Sequence, residues 1–364
     1  MKKNYSVICS SEVMNSLGEN LLAAKGPKKS PIDVFRAAFW YTNIVMRLHS
    51  PSAYDVEMIV ERTAFKKSKS GDSYHTNKWS KYETGSHVPH FLQVDRAERI
   101  LPGTEWILNH VLWDTLKLSK PIEKNANKWL KRLDPAIQSL VFKKERRGVG
   151  NNYARADVNI RLLSQLERRA GMDALACLTI LLREAHEQGA THNTLDIGNS
   201  IYRVLLIFCS ISPSRGLENV LFQIYCTTIF PMACHKDIGF KFEEFDFDDA
   251  VKRLRCLLNF KGFPIKTKSY IEDKIYYADM LLKGEYGYDI KFALEAPKSP
   301  RSAPSDNNRD DWKSYFIYEK LREWGMSQMF LRQSEREICP PADLFSRNYS
   351  NEKPTPPTPP ETTV

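Results

Sequence analysis

No apolar stretch in this 364-residue chain approaches the roughly 18 uninterrupted residues that a membrane-spanning helix needs. The best segment, residues 202–212, is too short to cross a bilayer and reads as a buried helix. The two lysines near the start are not followed by an apolar run, which argues against a secretory signal. The expectation is a cytoplasmic protein without membrane contact. Metal-ligand spacing is lacking too. Cys9, Cys177, Cys209, Cys226, Cys234, Cys256 and Cys339 make an odd, irregularly spaced set. Only Cys226, Cys234 and His235 lie close together, and no CxxC or HxxxH pair accompanies them. Free thiols in a reducing compartment are therefore expected, with no metal and no cofactor.

Nucleotide-binding and hydrolase motifs are equally missing: there is no GxxxxGK[ST], no GxGxxG and no GxSxG. Glu184, His186 and Glu187 in LLREAHEQ lack the second histidine of a metalloprotease helix and read as a solvated helix face. Glu243, Glu244, Asp246, Asp248 and Asp249 could hold a divalent metal for phosphodiester chemistry. No partner motif stands elsewhere, so the acidic run reads as solvated and no catalytic residue is assigned.

What the chain does contain is enough apolar material for a sizeable core. Hydrophobic residues make up 42% and charged residues 27%, a balance that belongs to a soluble globular protein, and the length allows two or three domains. The charge is unevenly spread. Residues 1–150 hold 25 Lys and Arg against 15 Asp and Glu, whereas the remaining 28 and 29 nearly cancel. A local basic excess is the footprint expected of a surface that meets phosphates, or else a solvated basic face.

Helical periodicity dominates. Residues 1–29 read as a flexible segment ending in the linker GPKKSP. Val34, Ala37, Ala38, Tyr41, Ile44, Val45 and Leu48 place a helix over 33–49. Ser52 followed by Asp55 resembles a capping box opening a second helix to about 62. FKKSKSGDSYH then fits a short β-hairpin or a loop. A third helix starts near Thr76, which can cap it, and stops at Gly85. Helices at 90–101 and 104–116 follow. Further helices are expected over 125–133, 134–144, 153–170, 172–187, 194–210 and 216–230, with a hinge at 144–152. The alternation in FKFEEFDFDD at 240–249 suits a strand, or an acidic loop before a helix at 250–259. Residues 296–311 read as a linker, 312–335 as a last helix, and the Pro/Thr-rich tail 346–364 as disordered. The fold class is mainly α. A five-helix module over 30–120 precedes a larger helical domain over 121–295 with little strand, and a C-terminal helix lies within 312–345.

The segment from Thr76 to Pro89 is the most informative. Trp79 and Tyr82 are i, i+3 neighbours and face one way. Thr76, Asn77, Lys78 and Lys81 cover the other faces. A short helix with a bulky apolar back and a polar, cationic front suits a DNA major groove. Asn can read adenine, Lys can read guanine or hold a phosphate, and Thr can do either or touch a thymine methyl.

The run Tyr82-Glu83-Thr84-Gly85-Ser86-His87-Val88-Pro89 resembles the end of the recognition helix in the phage-repressor-like (Cro/C1-type) helix-turn-helix family. The following helix, ending in Leu101 before Pro102-Gly103, is similar to the next family element. The resemblance covers about 85 residues. It implies that Trp79 and Tyr82 are core positions and that Thr76, Asn77 and Lys81 read the groove. It makes the helix after Ser52 the one that crosses the DNA backbone. One departure is large: about a dozen residues, 63–75, replace the family's turn of three or four. Lys66, Lys67 and Lys69 in that insertion could grip phosphates. The expected partner is double-stranded DNA, with the helical body supplying homo-oligomerisation or partner contacts. The implied function is that of a transcriptional regulator or a bacterial, phage-related or mobile-element DNA-binding protein. The alternative is an interaction or phage-defence-type effector whose helical body acts, as a nuclease for example, while the small module docks.

Overall fold

The computed structural model describes residues 11–24, 29–50, 52–62, 65–67, 73–74, 77–144, 153–190, 192–211, 216–243, 245–260, 262–264, 266–267, 269–332, 334–342 and 344. It is mainly helical, with three small antiparallel sheets. The expected disordered tail, 346–364, lies outside the described residues, as do Cys9, Lys69, Thr76 and Glu244.

The N-terminal part runs α1 (Ser11–Ala23), α2 (Pro31–Leu48), α3 (Ala53–Val60), β1 (Lys66–Lys67), β2 (Ser73–Tyr74), α4 (Lys78–Glu83), α5 (Phe91–Ile100), α6 (Thr104–Leu108) and α7 (Val111–Thr115). Local chemistry explains most of the boundaries. Ser30 accepts from the Asp33 N–H, and Pro31 occupies the first turn of α2, where its missing N–H costs nothing. Ser52 does the same for α3 through the Asp55 N–H at 3.2 Å. The insertion between α3 and α4 is a hairpin, with Lys66 opposite Tyr74 and Lys67 opposite Ser73. Residues 11–23, read from sequence as flexible, form α1, which buries Leu17. The helix expected over 104–116 is broken into α6 and α7. His110 causes the break: its Nδ1 accepts from the Leu112 N–H at 3.0 Å and starts a new helix there.

The body contains α8 (Ile122–Leu130), α9 (Pro135–Val141), β3 (Phe142–Lys144), β4 (Tyr153–Arg155), α10 (Ile160–Glu167), α11 (Met172–Glu187), α12 (Thr194–Ile211), α13 (Glu218–Thr228), β5 (Cys234–His235), β6 (Ile238–Phe240), α14 (Phe247–Phe260), α15 (Tyr270–Lys283), α16 (Tyr288–Ala293), β7 (Lys298–Pro300) and α17 (Arg309–Gln328). Helices α11 and α12 are buried along most of their length and form its centre. Among the described residues, α12 is the one helix long and apolar enough to span a bilayer, and two-thirds of it is buried inside the protein. The hinge expected over 144–152 lies outside the described residues apart from Lys144, the last residue of β3. Two sequence readings change here. The presumed linker 296–311 contributes β7, which pairs with β6. Helices α15 and α16 fall where no helix was expected.

Two hydrophobic clusters share α2. Trp40, Tyr41, Ile44 and Val45 enter a small cluster with Val56, Val60, Trp79, Tyr82, Val94, Ala97 and Leu108. Val34, Phe35, Ala38 and Phe39 enter the main core of the body, where Phe39 meets Trp113 and Phe208 at centroid distances of 5.6 and 6.2 Å. Leu108 belongs to the small cluster, whereas Ile107 and Val111 pack in the main core. Lys117 is tied to Asp33 at 2.8 Å. The buried Arg183 donates to the Thr115 and Lys120 carbonyls at 2.7 and 2.6 Å.

Trp79 is wholly buried and stacks on Trp40 at 5.6 Å and 20°. Truncating such a ring costs on the order of 3–5 kcal/mol. Trp79→Ala is therefore expected to melt the small cluster at a temperature where α11 and α12 remain folded, as followed by denaturation with residue-resolved hydrogen exchange. An unaltered melting profile would place Trp79 on the surface.

Candidate nucleic-acid interface

Helix α4 has a buried back and an exposed front. Behind it, Trp79 and Tyr82 close an aromatic trio with Trp40, whose ring lies 5.8 Å from Tyr82 and edge-on to it. Glu83 is half-buried and hydrogen-bonded to Tyr41; burial raises its carboxyl above the usual range, and that bond opposes the rise. The helix ends as the sequence requires. Gly85 has φ +63°, and a Cβ there would lie 2.4 Å from the Val34 carbonyl oxygen of α2, so only glycine fits. Asn20 of α1 donates to the Thr84 carbonyl at 2.9 Å, and Lys29 to that of Ser86 at 3.1 Å. The packing of α4 is on α2 and α3.

The sequence-derived residues divide into three groups. Asn77 and Lys81 are exposed, one turn apart. Asn77, not Thr76, is the residue before the helix, in left-handed conformation at φ 49°. Its Oδ1 accepts from the Ser80 hydroxyl at 2.9 Å. One half of the pair needed for a bidentate adenine contact is thus engaged within the helix. Lys78 is half-exposed and leans to Glu61, its Nζ 3.8 Å from the carboxylate. Lys66 and Lys67 lie on β1, in the hairpin that leads into α4. Ser52 serves α3: besides accepting from Asp55 N–H, it donates to the Asp55 carboxylate at 2.6 Å.

A group that the sequence did not reveal braces the three helices. The buried Glu61, just past α3, accepts from Gln93 of α5 at 3.3 Å and is paired closely with Arg96 of α5. The only sequence signal was an acidic residue at the end of α3, which any solvated helix end supplies. Glu61 and Glu57 are both buried, Lys78 reaches towards Glu61, and Lys81 is exposed.

Alongside α5 and α6 runs a cleft of about 530 Å³ lined by Arg36, Val88, Pro89, Phe91 and Leu108. Phe91 is 68% exposed.

The other candidates have structural duties. Asp246 caps α14 through the Asp249 N–H at 3.0 Å, and Asp248 and Asp249 pair with Lys252 and Arg253 one turn on. Glu184 is salt-bridged to Arg155, whereas His186 and Glu187 are exposed. No group of three metal-ligating side chains occurs among the described residues. Cys177 is fully buried, and burial pushes its thiol up to about 12. No protein-family model, curated protein or solved structure matches the chain.

Burial, reinforced by Glu61 and Glu57, pushes the Tyr82 phenol up to about 12 from 10.0. Because the folded pKa lies above the unfolded one, Tyr82 supports the fold fully below pH 10 and loses that support as pH rises towards 12. Between those values the native protein is expected to lose stability faster than Tyr82→Phe, read as melting temperature against pH. Parallel curves would show that the phenol is solvated.

Proposed function

We propose that the N-terminal module acts as a helix-turn-helix unit of the phage-repressor-like kind that docks on double-stranded DNA. In this reading α4 faces the major groove and the β1–β2 hairpin lies along the phosphates. The body supplies homo-oligomer or partner contacts, and the protein works in the cytoplasm as a transcriptional regulator or a phage- or mobile-element-related factor. One observation supports it above the others. The apolar half of α4 is consumed by the aromatic trio, and Asn77 and Lys81 on its front stand in solvent. Lys81 is the favoured groove or phosphate contact, since a lysine is a point charge that needs no fixed approach. Asn77 reads a base only by releasing Ser80, which sets it second.

A different class of reading, a protein-docking module, draws on the Phe91 cleft beside α5. Salt separates the two. Phosphate contacts release counterions, so duplex affinity should fall steeply with salt, and losing one contact flattens the log–log slope by about 1. A protein contact centred on Phe91 would be far less salt-dependent.

With the full chain and a randomised duplex pool, the native protein is expected to enrich a motif. Lys81→Ala should bind with the flatter salt slope, or with preference relaxed at one base position at a cost of about 1–3 kcal/mol. Asn77→Ala should relax preference less. Affinity unchanged between low and physiological salt would contradict duplex binding. An identical motif of equal strength in both variants would remove α4 from the readout.

A further inference from the structure

A second site lies on the body, remote in sequence from α4 and independent of the duplex reading. Between the C-terminal end of α14 and the first turns of α15 is a cavity of about 190 Å³, lined in part by Asn259, Phe263, Pro264, Tyr270, Lys274 and Tyr277. Its wall is fixed. Phe263 stacks on Tyr277 at 4.2 Å and 10°, and the Tyr277 hydroxyl donates to the Pro264 carbonyl at 2.9 Å. Its rim is aromatic and cationic. Tyr270 is 63% exposed, and the Lys274 ammonium stands 4.6 Å from its ring centroid and 3.1 Å from Asn259 Oδ1. Beside it, the Lys266 ammonium lies 4.6 Å from the ring of Tyr276, itself 39% exposed, and 5.4 Å from that of Tyr277. One carboxylate also lines the cavity: the buried Asp273, which accepts from the Lys266 and Thr267 N–H groups at 3.0 and 2.9 Å. Glu272 is exposed on the same turn and opposes an anion.

We propose that this rim and cavity bind single-stranded nucleic acid, with Tyr270 and Tyr276 as stacking platforms and Lys266 and Lys274 as phosphate contacts. Each ring carries a lysine ammonium over one face and keeps exposed surface beyond it, and aromatic rings beside cations are the elements of sequence-tolerant single-strand binding. A duplex keeps its base faces covered, so Tyr270 and Tyr276 discriminate against it. Asn259 lines the cavity with its Oδ1 engaged by Lys274, which leaves its amide N–H groups for the polar edge of a base.

The test uses the full chain and a fluorescein-labelled oligothymidylate of about 15 nucleotides, within the range one such surface covers. Fluorescence anisotropy measures binding, with the same strand annealed to its complement as control. The native protein is expected to bind the single strand. Tyr270→Ala should weaken binding by roughly five-fold or more, whereas Tyr270→Phe, which keeps the ring, should not. Lys266→Ala with Lys274→Ala should flatten the salt slope, and Glu272→Gln should tighten binding. Tyr270 is mostly exposed, so these variants leave the core intact, which circular dichroism verifies. Lys81→Ala should leave single-strand binding unchanged, whether or not it affects the duplex. No binding, equal binding by Tyr270→Ala, or loss only in Lys81→Ala would each overturn the proposal. Heparin displacing the strand with Tyr270→Ala unaffected would reduce the site to a nonspecific cationic face.

Discussion

Helix α2 presents apolar side chains in nearly every direction, and the protein is built on burying those from Ile32 to Val45. Its first half, from Ile32 to Phe39, lies in the core of the body; its second half, from Trp40 to Val45, lies in the small cluster under α4. A helix hydrophobic all round is stable only inside a structure. The small module and the body therefore cannot separate without exposing Phe35 and Phe39 on one side or Trp40 and Ile44 on the other. Further ties restrict the junction: Lys117 to Asp33, and Arg183 to the carbonyls beyond α7. The module is an outgrowth of one rigid helix.

Helix α2 also fixes the position of α4. Gly85 brings the chain against the Val34 carbonyl so closely that no side chain intervenes, and Trp79 stacks on Trp40. Six helical residues would not hold themselves in water, since helices this short have not repaid their nucleation cost. They are helical because α2 supplies the floor. The same floor orders the charges. Glu57 and Glu61 are buried, and Arg96 of α5 neutralises Glu61 while Lys78 of α4 reaches towards it. Lys81, exposed in the last turn of α4, is favoured there by the helix dipole.

Sequence reasoning succeeded where one residue type had one local use. Trp79 and Tyr82 stood out as an apolar pair among polar neighbours, Gly85 as a helix-ending position, and Ser52 before a run of helical period. The hairpin at Lys66–Lys67 and Ser73–Tyr74 was among the expected alternatives. Reasoning failed where a distant partner decided the outcome. Strand β7 lies in a Pro- and Ser-rich stretch and exists because β6, some sixty residues earlier, offers it an edge. Helix α15 was hidden by Asp273 and Asp279, polar residues at buried positions: one caps backbone N–H groups and the other pairs with Lys283. Asn77 was read as a base contact from its type, but Ser80 competes for its amide oxygen. The break at His110 depended on a ring nitrogen acting as a cap, which histidine seldom announces.

The central claim is that α4 is held from behind by α2 and left open in front for a duplex. Residue-resolved hydrogen exchange on the full chain, with and without saturating double-stranded DNA, tests it most directly. The account predicts slowed exchange at 66–67 and 77–87, with α11 and α12 unchanged. Unaltered exchange across 77–87 while DNA protects other segments would contradict it.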